Sequence, residues 1–221
     1  MRIAINRLID HTLLKPEAAP KDILRVCGEA ERHGFFSVCV NTHYVPLVSS
    51  RVEGTGIKVC SVAGFPLGAV DTRVKAFEAE RAVAAGADEI DMVMNVGLLK
   101  AGEEELVAED IAAVVKAAAP AVVKVIIEAA LLEDSEKVAA CKLAMGAGAS
   151  FVKTSTGFGP PGANPEDVKI MRGAVGPDFG VKASAGIRTA AFALELVEAG
   201  ANRIGTSAGV QIMEEWHAMK G

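Results

Sequence analysis

The chain has 221 residues, 51% hydrophobic and 23% charged, with a formal net charge of −5 at pH 7. That length suits one domain with a full core. The negative balance excludes a general nucleic-acid surface but leaves room for a local positive pocket around a small anion. The first residues, MRIAINRLIDHTLL, lack a long apolar stretch and a small-residue cleavage site, and no uncharged apolar run is long enough to span a bilayer. A soluble cytoplasmic protein, with no membrane partner, is expected.

In chain order, short apolar runs predict strands over RLIDHTL (7–13), FFSVCVN (35–41), IKVCSVA (57–63), EIDMVMN (89–95), VVKVIIE (122–128), FVKTS (151–155), GVKAS (180–184) and NRIGTS (202–207). Between them lie alanine-rich stretches of helical spacing such as RVKAFEAERAVAAG and EDIAAVVKAAA. GEEELVAED reads as a solvated helix start, where carboxylates suit the positive helix end. Three helix ends repeat one phrase, AAGADEIDM, GAGASFVKT and EAGANRIGT, each with a glycine suited to a left-handed cap before a strand. The alternation predicts an α/β protein, a single (β/α)8 TIM barrel over residues 1–221. Periodicity alone leaves an open doubly wound sheet as the alternative, against which stands the lack of a G-x-G-x-x-G turn after the first strand.

Barrel strands point alternate residues inward. With Ile90, Met92 and Met94 facing the helices, Glu89, Asp91 and Val93 face in; the same parity turns Lys124, Ile126 and Glu128, then Phe151, Lys153 and Ser155, then Lys182 and Ser184 inward. Three lysines on consecutive strands thus share an interior with carboxylates. A paired ionic network that merely fills the barrel is the structural alternative, yet burying an ammonium costs several kcal/mol unless partners compensate. A second ammonium roughly 4 Å from a first raises its charging cost by about 4 kcal/mol at an effective dielectric near 20, and a neutral amine attacks carbonyls. Lys153 and Lys182, on adjacent strands, are the pair expected to do this, with Asp91 holding Lys182 charged and handling protons.

Small residues crowd the last three strand ends, in STGFGPPG, SAGIR and GTSAGV. Glycines let backbone N–H groups approach an anion, and the loops after strands seven and eight are the recurrent phosphate site of this fold; otherwise they only make tight turns. The candidate phosphate contacts are Thr156, Gly157, Ser184, Gly186, Gly205 and Ser207. Cys27, Cys39, Cys60 and Cys141 are scattered without a C-x-x-C pair, so neither zinc nor a disulfide framework is indicated. His33, His43 and His217 read as surface or helix-end residues; His11, beside Asp10, is the one histidine placed near the site.

The segments IDHTLLKPEA, GFPLGA, ADEIDMVMNVGLLKAG, KVIIE, FVKTSTGF, VKASAGIR and GTSAG, in that order, resemble the deoxyribose-phosphate aldolase family over almost the whole length. The resemblance implies a (β/α)8 barrel that cleaves 2-deoxy-D-ribose 5-phosphate to D-glyceraldehyde 3-phosphate and acetaldehyde, in deoxyribonucleotide catabolism, with no metal or other cofactor and often as a homo-oligomer. It further implies Lys153 as Schiff-base lysine, Lys182 as the lysine that tunes it, Asp91 as proton donor and acceptor, Lys124 as an auxiliary, and Asp10, Cys39 and Asn41 on the substrate side. Ala185 stands where the family commonly has a second glycine, Thr42 where proline is usual, and Ala129 where a threonine often follows the glutamate. The only tyrosine is Tyr44, whereas some members use one near their C-terminus. Another barrel enzyme of phosphorylated sugars, a transaldolase or isomerase, and a phosphate-binding barrel without chemistry are the competing readings.

Overall fold

Every predicted strand run contains a strand. In the computed structural model, which describes residues 4–159 and 161–219, these are β1 (Ile9–Leu13), β2 (Ser37–Val40), β3 (Lys58–Ala63), β4 (Glu89–Val93), β5 (Val122–Ile126), β6 (Phe151–Lys153), β7 (Gly180–Ser184) and β8 (Arg203–Thr206). All neighbours are parallel, and β8 pairs with β1 to close the barrel in sequence order. Closure rules out the open doubly wound sheet. Several strands are shorter than their apolar runs: in β4, β5, β6 and β8 the last residues of the run, such as Ser155 after β6, leave the ladder for the loops above the barrel.

The helices are α1 (Pro20–His33), α2 (Val45–Val52), α3 (Thr72–Ala84), α4 (Val96–Lys100), α5 (Glu104–Ala118), α6 (Asp134–Gly146), α7 (Pro165–Val175), α8 (Ala190–Glu198) and α9 (Gly209–Ala218). Local chemistry sets their ends. Asp22 accepts from the Ala19 N–H at 3.0 Å to start α1 behind Pro20, and Asn164 accepts from the Asp167 N–H at 2.9 Å to start α7 behind Pro165. The glycines of the three repeated phrases, Gly86, Gly148 and Gly200, take φ of 108°, 87° and 118°, the region an L side chain avoids. Two of those phrases share a further device: Asp88 and Asn202, just before β4 and β8, accept from the N–H of Val59 and Val181 at 2.9 and 2.8 Å, stitching each incoming strand to its predecessor.

The main apolar core lies between the outer face of the barrel and the helices, where Ile90, Met92 and Met94 are fully buried. Inside the barrel the apolar cluster is small, formed by Leu14, Cys39, Cys60 and Val62 with Phe65 against it. Charge fills much of the remainder.

Two expectations need correction. Asp110, the last residue of GEEELVAED, is buried rather than solvated: it faces α3, accepting from Lys75 Nζ at 2.6 Å and Thr72 Oγ1 at 2.8 Å. His11 is on the outer side of β1, away from the interior; its Nε2 meets Glu29 of α1 at 2.7 Å and its ring packs on Phe35. Parity explains this, since Asp10 points in and the next residue must point out. Among the described residues no helix is long and apolar enough to cross a membrane.

Candidate active site

Register brings the charged residues together. Lys153 pairs directly with Lys182 across β6 and β7, and Asp91 with Lys124 across β4 and β5. The Asp91 carboxylate is the hub: Oδ2 accepts from Lys153 Nζ at 2.8 Å and Lys182 Nζ at 2.7 Å, while Oδ1 accepts from Lys124 Nζ at 2.8 Å and from the Cys60 thiol at 3.3 Å. Lys124 also pairs with Glu89 at 2.7 Å, and Lys182 with Asp10 at 2.5 Å. Room for Lys182 comes from Gly205, where a Cβ would lie 2.9 Å from the lysine Cε.

Towards the N-terminal end of the barrel Arg203 completes the cluster. It contacts Asp10 at 2.8 Å and Glu89 at 3.1 Å, its guanidinium lies 3.5 Å from the centroid of the Phe36 ring, and Ser37 donates to Asp10 at 2.7 Å. Arg203 is absent from the sequence-based candidates, although the parity of NRIGTS, with Gly205 inward, also turns it inward.

Burial by itself would raise the Asp91 pKa, but the ammonium groups of Lys124, Lys153 and Lys182 overcome it and hold the carboxyl well below its usual range. Asp10 is likewise lowered against its own burial by Lys182, Lys124 and Arg203. Burial opposes the charge on Lys182 and Lys124 too, and the facing carboxylates, Asp10 and Asp91 for the first and chiefly Asp91 for the second, raise both above the ordinary lysine value.

The partners are unevenly shared. Lys124, Lys182 and Arg203 each touch two carboxylates, whereas Lys153 touches Asp91 alone. Four cations, Lys124, Lys153, Lys182 and Arg203, face three carboxylates, Asp10, Glu89 and Asp91, so cationic side chains outnumber carboxylates by one. The expected neighbours Lys153 and Lys182 do come together, and a carboxylate oxygen, Asp91 Oδ2, accepts from both amines.

Lys153 is also the cluster lysine that reaches the surface. A cleft of about 420 Å³ at the C-terminal ends of β1, β6, β7 and β8 is lined by Lys153 but by neither Lys124 nor Lys182. Thr156, Gly157, Ser184, Gly186, Gly205 and Ser207 line the same cleft, so all six candidate phosphate contacts come together. The lining contains Lys15, Lys153 and Arg188 and no carboxylate. Lys15 and Arg188 make no ion pair among the described residues, and the N–H groups of Gly157, Gly186 and Ser207 have no hydrogen-bond partner among them. Such a surface suits an anion. Lys15, Arg188 and the Thr12–Leu14 wall escape a sequence reading because nothing in their local pattern tells an exposed loop cation from a cleft cation.

Three other candidates lie elsewhere. Asp10 is fully buried inside the ionic cluster and does not line the cleft. Cys39 is buried in the interior, where its sulfur, that of Cys60 and an Asp91 oxygen all lie within 4.8 Å of one another. Asn41 acts on the cleft wall indirectly, donating to the Leu14 carbonyl at 3.1 Å.

Comparison with known proteins accords with this geometry. Residues 5–215 match the model of a family described as DeoC/LacD family aldolase. A deoxyribose-phosphate aldolase of Thermoanaerobacter sp. is 55% identical over 98% of both chains, and one of Coprothermobacter proteolyticus is 60% identical over 95% of this chain and 96% of its own. The solved deoxyribose phosphate aldolase of Aeropyrum pernix, described as a unique tetramer, superposes with a TM-score of 0.91 at 38% identity, covering 97% of this chain and 92% of that one.

Proposed function

The chain belongs to the DeoC/LacD family of aldolases, and from that membership we propose a lysine-based mechanism for this barrel. The protein acts as a deoxyribose-phosphate aldolase, a lyase that cleaves 2-deoxy-D-ribose 5-phosphate to D-glyceraldehyde 3-phosphate and acetaldehyde. One observation carries the mechanism: Lys153 is the least paired cation of the interior and the cluster lysine that lines the cleft.

Neutral Lys153 Nζ attacks C1 of the open-chain sugar, and loss of water gives a protonated imine. A base removes the proton of the C3 hydroxyl, the C2–C3 bond breaks, and its electron pair moves into the imine to leave an enamine. Glyceraldehyde 3-phosphate departs; protonation of the enamine at C2 and hydrolysis release acetaldehyde and return the amine. Asp91, 2.8 Å from Lys153 Nζ, handles these protons. It is a poor base while three ammonium groups face it, and a neutral Lys153 removes one of them. Lys182 keeps the cation surplus, Lys124 anchors the other oxygen of Asp91, and Cys39 packs against the cluster.

The phosphate lies among Thr156, Gly157, Ser184, Gly186, Gly205 and Ser207, with Lys15 and Arg188 supplying long-range charge. Its binding energy aligns C1 with Lys153. Purified protein with EDTA present is expected to release glyceraldehyde 3-phosphate from deoxyribose 5-phosphate, as read by a coupled dehydrogenase assay; a metal requirement, or transfer to a second sugar without free acetaldehyde, contradicts the proposal.

The protein works in the cytoplasm as a homo-oligomer. Leu67, Val70, Val74 and Phe77 are exposed apolar residues within one short stretch of chain leading into the first turns of α3, and a second copy is proposed to cover them, in line with the tetramer described for the Aeropyrum pernix relative. Light scattering that finds a monomer, or an unchanged assembly in Phe77→Asp, contradicts this assignment.

A further inference from the structure

Among the described residues, two that are not glycine have positive φ, Glu128 at 49° and Ala185 at 75°. Each conformation is unfavourable for an L side chain and persists only where the surroundings enforce it. Both residues flank one stretch, Thr156–Gly157, in the loop that follows Lys153. Ala185 stands beside it: a Cβ at Gly157 would lie 3.5 Å from that of Ala185. Glu128 holds it: Oε2 accepts from Thr156 Oγ1 at 2.5 Å and from the Thr156 N–H at 3.2 Å. The hydroxyl in turn accepts from the Phe158 N–H at 3.1 Å. Below that, Ile127 N–H donates to the Lys153 carbonyl at 3.0 Å and Ala129 N–H to the Thr154 carbonyl at 2.8 Å.

The backbone twist at Glu128 therefore has a use. It turns a carboxylate back onto the neighbouring loop, where one oxygen collects two donors from a single residue and fixes the threonine rotamer. With Thr156 donating to Glu128 and accepting from Phe158, the turn between them is closed, and Gly157 at its tip lines the cleft with an N–H that has no partner among the described residues. Glu128 is 8% exposed and does not line the cleft, so it acts through the loop.

We propose that Glu128 is a positioning residue for substrate phosphate, holding the Thr156–Phe158 turn so that the Gly157 N–H is presented to the anion before it arrives. This rests on the assignment of the phosphate to the cleft. Preorganisation of this kind lowers the cost of ordering a loop on binding.

The test compares KM for deoxyribose 5-phosphate and for unphosphorylated deoxyribose. Glu128→Gly relieves the backbone and removes the acceptor; a folded variant is expected with KM for the phosphorylated sugar raised about tenfold and KM for the free sugar changed less than about twofold. Glu128→Gln keeps an acceptor oxygen and is expected to recover most of the loss. An unchanged KM in folded Glu128→Gly, or equal changes for both sugars, overturns the proposal. Should the glycine variant not fold, Glu128→Asn, a residue that tolerates the left-handed backbone but is one methylene shorter and so withdraws the acceptor from Thr156, must show the same one-sided rise. Ser207→Glu, which places a carboxylate in the cleft, separates the two layers: a one-sided rise there with none in the Glu128 variants refutes the positioning role alone, while no one-sided rise in either refutes the phosphate site itself.

Discussion

Two of the buried charge clusters in this barrel, one between helices and one inside the strands, differ in balance and access. Outside the strands Lys75 of α3 and Asp110 of α5 form a closed pair at 2.6 Å, 0% and 2% exposed, with Thr72 on the remaining carboxylate oxygen. Inside, four cations meet three carboxylates, and one amine opens on a cleft. The outer pair is neutral and has nowhere to send a proton or a bond. Under the proposed mechanism, burial of charge alone does not mark the reactive site; a surplus of one sign beside a cleft does.

The largest effect that distinguishes the two sets is on turnover. Lys153→Arg keeps the charge but not the nucleophile, and kcat is expected to fall by about four orders of magnitude or more with the fold intact. Lys75→Met should leave kcat within about threefold. Steady-state kinetics on both variants checks this, and comparable losses would erase the distinction.

Next comes the surplus itself. Lys182→Leu leaves three cations for three carboxylates and removes the positive charge that stands beside Lys153. The rate at neutral pH is expected to fall about a hundredfold and to recover in part at alkaline pH. A rate profile that keeps the parent shape at lower amplitude assigns Lys182 to direct proton transfer instead.

Stability reads the outer pair. Removing Lys75 alone strands a buried carboxylate and costs about 3–5 kcal/mol, whereas Lys75→Met with Asp110→Leu returns close to the parent value. Urea unfolding of the single and double variants measures it. A double variant as unstable as the single shows that the pair itself contributes.

The inner cluster has its own pH signature. Asp10 and Asp91 have folded pKa values below their unfolded ones, so the unfolded state binds more protons; their contribution is full above about pH 4 and is lost as pH falls through the folded values. Lys124 and Lys182, raised instead, contribute below about pH 10.4 and lose that as pH rises through their folded values. The melting temperature should be nearly flat from about pH 7 to 8, fall steeply below about pH 4, and decline above about pH 8.5, where the buried thiols of Cys27, Cys60 and Cys141, raised by burial, stay protonated while the unfolded chain loses those protons. A shallower loss begins below about pH 6.5 from His11, whose burial lowers its pKa. A steep loss between about pH 7 and 8 is incompatible with this pairing.

The smallest effect is at the mouth. Ala185→Gly removes a side chain from a φ of 75°; relief of that strain, set against the extra backbone entropy of glycine, leaves a gain of up to about 1 kcal/mol. Thermal unfolding that shows a loss instead means the methyl packs usefully.

How far the sequence discloses this molecule follows from what each signal depends on. The eight strands and the inward set Asp91, Lys124, Lys153 and Lys182 are legible because the period of two is local and the outward partners, Ile90, Met92 and Met94, are plainly apolar. The glycines and hydroxyls of the cleft are legible because they occupy strand ends. Legibility fails where a property depends on contacts across the barrel. Asp10 and Arg203 lie 193 positions apart in sequence yet 2.8 Å apart in space, so their pairing, and the placement of Asp10 inside the cluster rather than on the substrate side, needs the closed structure. The uneven sharing of Asp91 needs three strands at once. Glu128 carries no sign of its left-handed backbone, and Asp110 follows solvated glutamates but meets a lysine that only helix packing supplies.

The central claim is that the least paired amine of the inner cluster, Lys153, is the one that bonds carbon. Incubation with acetaldehyde, reduction with borohydride and peptide mapping by mass spectrometry locate that bond directly. An ethyl adduct on the peptide carrying Lys153, absent in Lys153→Arg, is the expected result; an adduct on Lys182 or Lys124, or none under conditions where the enzyme turns over, contradicts it.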